Sequence, residues 1–157
     1  MGAKELLGNV PLPPGQLVGL GADIVLGRLK PARLPGPRTV HRAAGSGLLV
    51  AGCAINAWSL LERRRQSSGA FDLERPQSLV VTGPYASSRH PMYVGWWLIH
   101  LGLGVLQGSA WAFATTPAAA LAEHRGVLAE ERTLAESFGH AYAAYAQRVP
   151  RYVPGRR

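Results

Sequence analysis

The sequence predicts an all-α, polytopic membrane protein with about four transmembrane helices, the last two a helical hairpin, followed by an amphipathic C-terminal helix. Three observations predict it. Residues 92–122 form a run of 31 positions with no Asp, Glu, Lys or Arg. Residues 43–61 form a second uncharged run of 19, close to the roughly 20 that a helix needs to cross a hydrocarbon core. Basic residues crowd the ends of these runs, so polarity is segregated along the chain although mean hydropathy is only +0.03. A soluble helical bundle is the alternative, but soluble helices normally keep a charged face, and 92–122 has none.

Taken in order, the first apolar stretch, 12–29, is the weakest span. It contains Asp23 and Arg28, and Pro11, Pro13 and Pro14 crowd its start. The second is 43–61, and 63–76 reads as a polar connector. The third and fourth, 92–106 and 110–122, are shorter and flank Gln107-Gly108-Ser109, which suits a hairpin that reaches far into the bilayer and returns. Pro117 is expected to bend the fourth segment or mark irregular backbone, because its ring removes a helix hydrogen bond. From 124 to 138, Val127, Leu128, Leu134 and Phe138 recur at helical spacing, interrupted by Glu130, Glu131 and Glu136. Gly139 suits a helix C-cap, and a short helix over 140–148 would carry Tyr142 and Tyr145 on adjoining faces. Pro150 and Pro154 end regular structure.

The 157 residues make one domain. With four crossings, twelve of the 17 Lys and Arg fall on one side and five, all within 28–42, on the other. The positive-inside rule therefore places both termini and the polar blocks in the cytoplasm and leaves those five on the disfavoured side. The net charge of +8 sits at the ends of apolar runs rather than across one face, which speaks against a nucleic-acid partner. The single Cys53 permits no intramolecular disulfide and is expected to be a small buried hydrophobe; no metal site is expected. The N-terminal residues lack a basic region before a compact apolar core, so no cleavable signal peptide is expected.

Two blocks concentrate polar, aromatic and turn-forming residues at the membrane boundary. In 79–95, Gly83-Pro84 marks a turn, and Pro91 suits a first helical position with His90 at the cap. Arg89 and His90 then stand where a helix begins, near exposed backbone N–H groups that favour an anionic group. Tyr93 and Trp97 lie one turn apart, His100 follows, and Gly95 permits close approach of another helix or a flat ligand. Each has a plainer reading: a snorkelling arginine, an aromatic belt, a neutral histidine hydrogen-bonded between helices. The second block is Glu130-Glu131, a solvated face by default, on a helix that must return near Arg89-His90.

Gly83-Pro84-Tyr85, Arg89-His90-Pro91-Met92-Tyr93, the charge-free hairpin, Glu130-Glu131, Phe138-Gly139-His140-Ala141-Tyr142-Ala143-Ala144-Tyr145 and Arg148-Val149-Pro150 occur in that order. The series resembles the isoprenylcysteine carboxyl methyltransferase and phospholipid N-methyltransferase group of integral-membrane enzymes, over about 77–154. The resemblance implies an S-adenosylmethionine cofactor and a cytoplasmic pocket. Gln77, Ser78, Leu79, Val80, Tyr85, His90, Pro91, Met92 and Tyr93 would line the cofactor, Glu130 would contact it, and Arg89 suits its carboxylate. On this reading 77–154 is the cofactor-binding core, and 1–76 supplies two spans and the connector. The acceptor would be a lipophilic or small molecule arriving from among the membrane lipids, meeting the cofactor near Tyr93, His100 and Glu131. In the carboxyl methyltransferases an arginine four residues before the glutamate serves the substrate. Here that position is Gly126, beside Arg125, a departure that argues against a prenylcysteine carboxylate. Glu131, Arg125 and His100 are the catalytic candidates. Membrane NADPH-dependent reductases of the sterol type also look similar in this half, and a small non-enzymatic membrane scaffold is a third reading.

Overall fold

The computed structural model describes residues 13–66 and 78–153. Among these the chain is all-helical: α1 (Pro14–Leu29), α2 (Arg38–Gln66), a 3-10 turn (Gly83–Ala86), α3 (Pro91–Gln107) and α4 (Ala112–Arg148). Proline opens α1 and α3 within the first two positions, where its missing N–H costs nothing, and His90 is the N-cap of α3. Gly108 ends α3 in the left-handed region (φ 68°), with its amide turned back on the carbonyls of Gly104 and Val105.

The fourth segment and the amphipathic stretch after it form one helix, so α4 runs on where the uncharged stretch stops at Glu123. Helical dihedrals also run through Pro117, contrary to the expected irregularity. It lies five residues into α4, where the lost N–H concerns a single bond to the first turn. The break comes instead at Gly139 (φ 48°, ψ −119°), a conformation open to glycine, which re-aims the last turns of α4.

Burial is inverted relative to a soluble bundle. The buried residues of α1 are Gln16, Gly19 and Asp23, whereas Val18 (72%) and Leu29 (74%) are exposed. On α2 the buried residues are Gly45, Gly52, Ser59 and Glu62, while Val50, Trp58 and Leu61 face outward. Small and polar groups inside with branched apolar groups outside is the pattern of helices solvated by lipid. Cys53 is exposed, not buried as expected, because the packing face of α2 runs through its neighbour Gly52. α2 alone is long and apolar enough to cross a membrane by those criteria among the described residues. α1 and α3, of 16 and 17 residues, would reach about 25 Å, short of the hydrocarbon core of about 30 Å.

The tightest packing is α2 against α3. Gly45 and Gly52, a heptad apart, face Gly102 and Gly95; a Cβ on any of the four would lie 2.5–2.9 Å from the carbonyl oxygen of its opposite glycine. Backbones can approach so closely only where side chains are absent. α1 lies against α4, with Gly19 against Ala119 and against the ring of His100 on α3. Both inter-helix turns meet at one end of the bundle, joined by the antiparallel bridge Arg33–Ser109. The 3-10 turn, the start of α3 and the C-terminal tail meet at the other.

Candidate active site

Three local features build this second end. Gly83 packs against Glu62 at the end of α2, and the Thr82 hydroxyl donates to the Glu62 carboxylate, fixing the 3-10 turn on α2. The C-terminal tail folds back onto the residues before α3: the amides of Arg89 and His90 donate to the carbonyls of Pro150 and Arg151 at 2.9 and 3.1 Å. The Tyr145 hydroxyl donates to the Tyr85 carbonyl at 2.7 Å. Val149 joins Tyr142 and Tyr145 in a small core against which Leu79 and Val81 pack.

On this frame stand two adjacent acids with different surroundings. Glu131 is saturated. It accepts from Arg151 at 3.0 and 2.7 Å, faces Arg89 at 2.9 Å and meets His90 Nε2 at 3.3 Å. Burial on its own would raise its pKa; the hydrogen bonds from His90 and Arg151 and the charges of both arginines outweigh it and hold the carboxyl down at about 2. Glu130 is loosely held, with Arg63 at 3.5 Å and His90 Nδ1 at 3.6 Å. His90, nearly fully buried, thus spans the two carboxylates with its two ring nitrogens.

Beside Glu130 lies a cavity of about 30 Å³ lined by Arg63, Tyr85, His90, Pro91, Met92 and Tyr93 as well. The Arg63 guanidinium lies 5.4 Å from the centre of the Tyr85 ring, a cation–π contact. Burial pushes the Tyr85 phenol up to about 12 although Arg63 pulls the other way, so it stays a neutral hydroxyl at physiological pH. Tyr152 lies on the far side of His90, its ring tilted against Trp97 at 4.8 Å and its hydroxyl hydrogen-bonded to His124 at 2.8 Å.

With that geometry in place, comparison with known proteins is decisive. The phospholipid methyltransferase family model matches residues 40–141. The chain belongs to that family. Protein-S-isoprenylcysteine O-methyltransferase B of Arabidopsis thaliana is 31% identical over 115 residues, 70% of this chain and 57% of that protein. Protein-S-isoprenylcysteine O-methyltransferase of Schizosaccharomyces pombe is 28% identical over 122 residues, 74% of this chain and 50% of that protein. A solved structure of the eukaryotic intramembrane Ras methyltransferase, isoprenylcysteine carboxyl methyltransferase, superposes with a TM-score of 0.66 at 22% identity. It covers 90% of this chain and 51% of that one, and it shows the shared fold. The chain spans about half the length of the relatives it matches. The family match starts in α2, well upstream of residue 77, where the motif resemblance begins.

The structure gathers Tyr85, His90, Pro91, Met92, Tyr93 and Glu130, all singled out in the sequence, around one cavity. Arg89 stands behind them, bound to Glu131 and, at 3.2 Å, to the Tyr142 hydroxyl. Ser78, Leu79 and Val80 are half-buried, with Leu79 on the tyrosine core rather than at the cavity. Gln77 lies outside the described residues. Two catalytic candidates are not brought to the cluster. His100 is fully buried deeper in the bundle, with Gln16 Oε1 at 2.7 Å and Thr115 Oγ1 at 3.2 Å on its two nitrogens. Arg125 is exposed, and a side chain at Gly126 would meet open space. Sequence reasoning missed Arg63, Arg151, Tyr152 and His124. Arg63 was hidden in the run Arg63-Arg64-Arg65, which looked like interfacial charge, while Arg151 and Tyr152 directly follow the Arg148-Val149-Pro150 motif.

Proposed function

We propose that the chain is an S-adenosylmethionine-dependent membrane methyltransferase whose cofactor site is the Arg63–Tyr85–Tyr93–Glu130 cavity, acting on a lipophilic acceptor reached from the bilayer. The observation that carries this reading is the unequal treatment of the paired acids. Glu131 has its charge satisfied by two arginines and a histidine, whereas Glu130 faces the cavity with contacts long enough to be exchanged. The donor set fits the cofactor. Glu130 suits two ribose hydroxyls or a cationic group, Arg63 suits a carboxylate, and the neutral Tyr85 hydroxyl and the Tyr93 ring suit a purine. Arg89 contributes a buried Nε that has no hydrogen-bond partner among the described residues. At about 30 Å³ the cavity is far smaller than the cofactor, so binding has to enlarge it.

When bound, the cofactor supplies an electrophilic methyl group for in-line displacement by the acceptor. The work of the chain is alignment and exclusion of water. Glu131 acts as a positioning residue: through Arg89, His90 and Arg151 it ties the start of α3, α4 and the tail into one rigid wall. With the carboxyl held at about 2, it remains an anion at working pH and is a poor proton acceptor. The exposed Arg125 and open Gly126 leave no arginine aimed at an acceptor carboxylate from this part of α4, which favours acceptors other than a prenylcysteine acid. The matched family and the two isoprenylcysteine methyltransferase relatives lend no support to the reductase or scaffold readings.

The test is incubation of membranes holding the chain with methyl-labelled S-adenosylmethionine, followed by separate extraction of lipid and protein. The expected outcome is label in the lipid fraction that disappears with Glu130→Gln. Label no higher than in membranes lacking the chain would refute the proposal.

A further inference from the structure

The far end of the bundle carries a second, differently built cavity. Arg28, Lys30, Arg33, Arg38 and Arg42 lie between α1 and the first turns of α2, on the side opposite the candidate active site, where five cations work against the orientation set by the rest of the chain. All five are exposed and, among the described residues, none is ion-paired and every ion pair lies at the other end. Topology does not account for their presence here.

Arg33, Arg38, His41 and Arg42 line a cavity of about 370 Å³, closed on one side by Leu106 and Gly108 at the end of α3. Its walls are fixed. The Leu34 amide donates to the Gly108 carbonyl at 2.9 Å and the Ala110 amide to the Ala32 carbonyl at 2.8 Å. Trp111 Nε1 donates to the Lys30 carbonyl at 2.7 Å, and His41 Nε2 donates to the Pro35 carbonyl at 2.9 Å. No acid lines this cavity. Asp23, on the wall of the adjoining cavity of about 320 Å³, is buried and accepts from Ser109. α2 begins at Arg38, so the positive end of a 29-residue helix opens into the same space.

Several guanidiniums around a preformed concavity, together with a helix N-terminus, are the chemistry that holds a phosphate. The setting identifies its source. In a bilayer-embedded bundle this end lies at headgroup depth, and Leu29 and Val40, interspersed in the chain with these cations, are exposed as surfaces for acyl chains. We propose that this cavity binds the phosphate of an anionic lipid headgroup in the leaflet opposite the active-site mouth. The proposal is independent of methyl transfer and requires only that the bundle be embedded.

The test measures the thermal midpoint of the purified full chain in detergent micelles doped with phosphatidylglycerol, with phosphatidylcholine, or with soluble glycerol 3-phosphate instead. Phosphatidylglycerol is expected to raise the midpoint in a saturable way. Arg33→Gln with Arg38→Gln should abolish the rise, and Arg64→Gln with Arg132→Gln, exposed arginines near the other end, should leave it intact. If the first double variant does not fold, single Arg42→Gln is expected to weaken the apparent lipid affinity about tenfold, as loss of one charge-assisted hydrogen bond would. An equal rise with phosphatidylcholine, or a rise that survives both Arg33→Gln/Arg38→Gln and Arg42→Gln, would overturn the proposal. Full reproduction by glycerol 3-phosphate would overturn the lipid as the source.

Discussion

At the end of the bundle where α2 stops and α3 begins, Arg63, Arg89 and Arg151 lie 2.7–3.5 Å from Glu130 and Glu131. At the other end Arg33, Arg38 and Arg42 line a cavity without an acid. The cations are alike in kind and differ in what has been brought to them. At the first end a glutamate pair from α4 and a returning tail convert arginines into fixed walls around one loosely held carboxylate. At the second, arginines are held by backbone bonds around an open space. An enclosed, ion-paired cluster can orient a polar cofactor at little reorganisation cost, while an unpaired one awaits an anion from outside.

The largest expected effect that would break this comparison is Glu131→Ala. Removing one acid leaves Arg89, Arg151 and His90 facing each other in a largely buried place, and loss of one partner from such a cluster costs about 3 kcal/mol or more. The thermal midpoint in detergent should fall well below that of Arg33→Gln/Arg38→Gln, which removes exposed charges and should stay within about 0.5 kcal/mol of the parent. Equal losses at the two ends would erase the distinction.

Next in size is Glu130→Gln. Since Glu130 is held only at 3.5 and 3.6 Å, the fold should survive, whereas a charge-assisted bond to the cofactor is worth about 1.5–3 kcal/mol, or roughly ten- to a hundredfold in affinity. Gly52→Ala probes the middle of the bundle. Its Cβ would lie 2.5 Å from the Gly95 carbonyl oxygen, and overpacking of this kind costs about 1–3 kcal/mol. It should lower the thermal midpoint without changing the relative affinity for cofactor or lipid.

The same Glu131 interaction can also be reached by pH. The Glu131 carboxyl is depressed from 4.5 to about 2, so the folded state favours its anion. Its contribution is complete above the ordinary carboxylate value and fades as pH falls from 4.5 through about 2. Acid titration of stability should show that loss in the parent and not in Glu131→Gln; identical acid profiles would remove the electrostatic role assigned to Glu131.

Much of this was legible in the sequence, for identifiable reasons. Pro91 marks the start of α3 and Gln107-Gly108-Ser109 its return, because proline and glycine restrict the backbone locally. The approach of Glu130-Glu131 to Arg89-His90 followed from hairpin geometry together with the motif order. What was not legible depends on faces and tails. Asp23 looked like a flaw in a span, yet in the structure it is turned inward to Ser109, and Gln16, two turns earlier in α1, hydrogen-bonds to Glu123 through amide and side chain. An intramembrane polar group can be judged only once its neighbour is known. Arg63 and Arg151 counted as orientation charges because each becomes a site neighbour only when α2 and the tail dock against α4. His100 was placed with the reacting groups from its spacing after Tyr93 and Trp97; shared helical spacing does not fix depth, and it is bonded to Gln16 and Thr115 instead. The fourth apolar segment and the amphipathic stretch were read as separate elements from their change in polarity, yet α4 runs through both.

The most direct test of the central claim is a calorimetric titration of the detergent-purified chain with S-adenosylmethionine, run in parallel on Glu130→Gln. Saturable binding to one site per chain, weakened at least about tenfold in the variant, is the predicted result. No binding heat, or equal affinity in parent and variant, would contradict the assignment of this cavity to the cofactor.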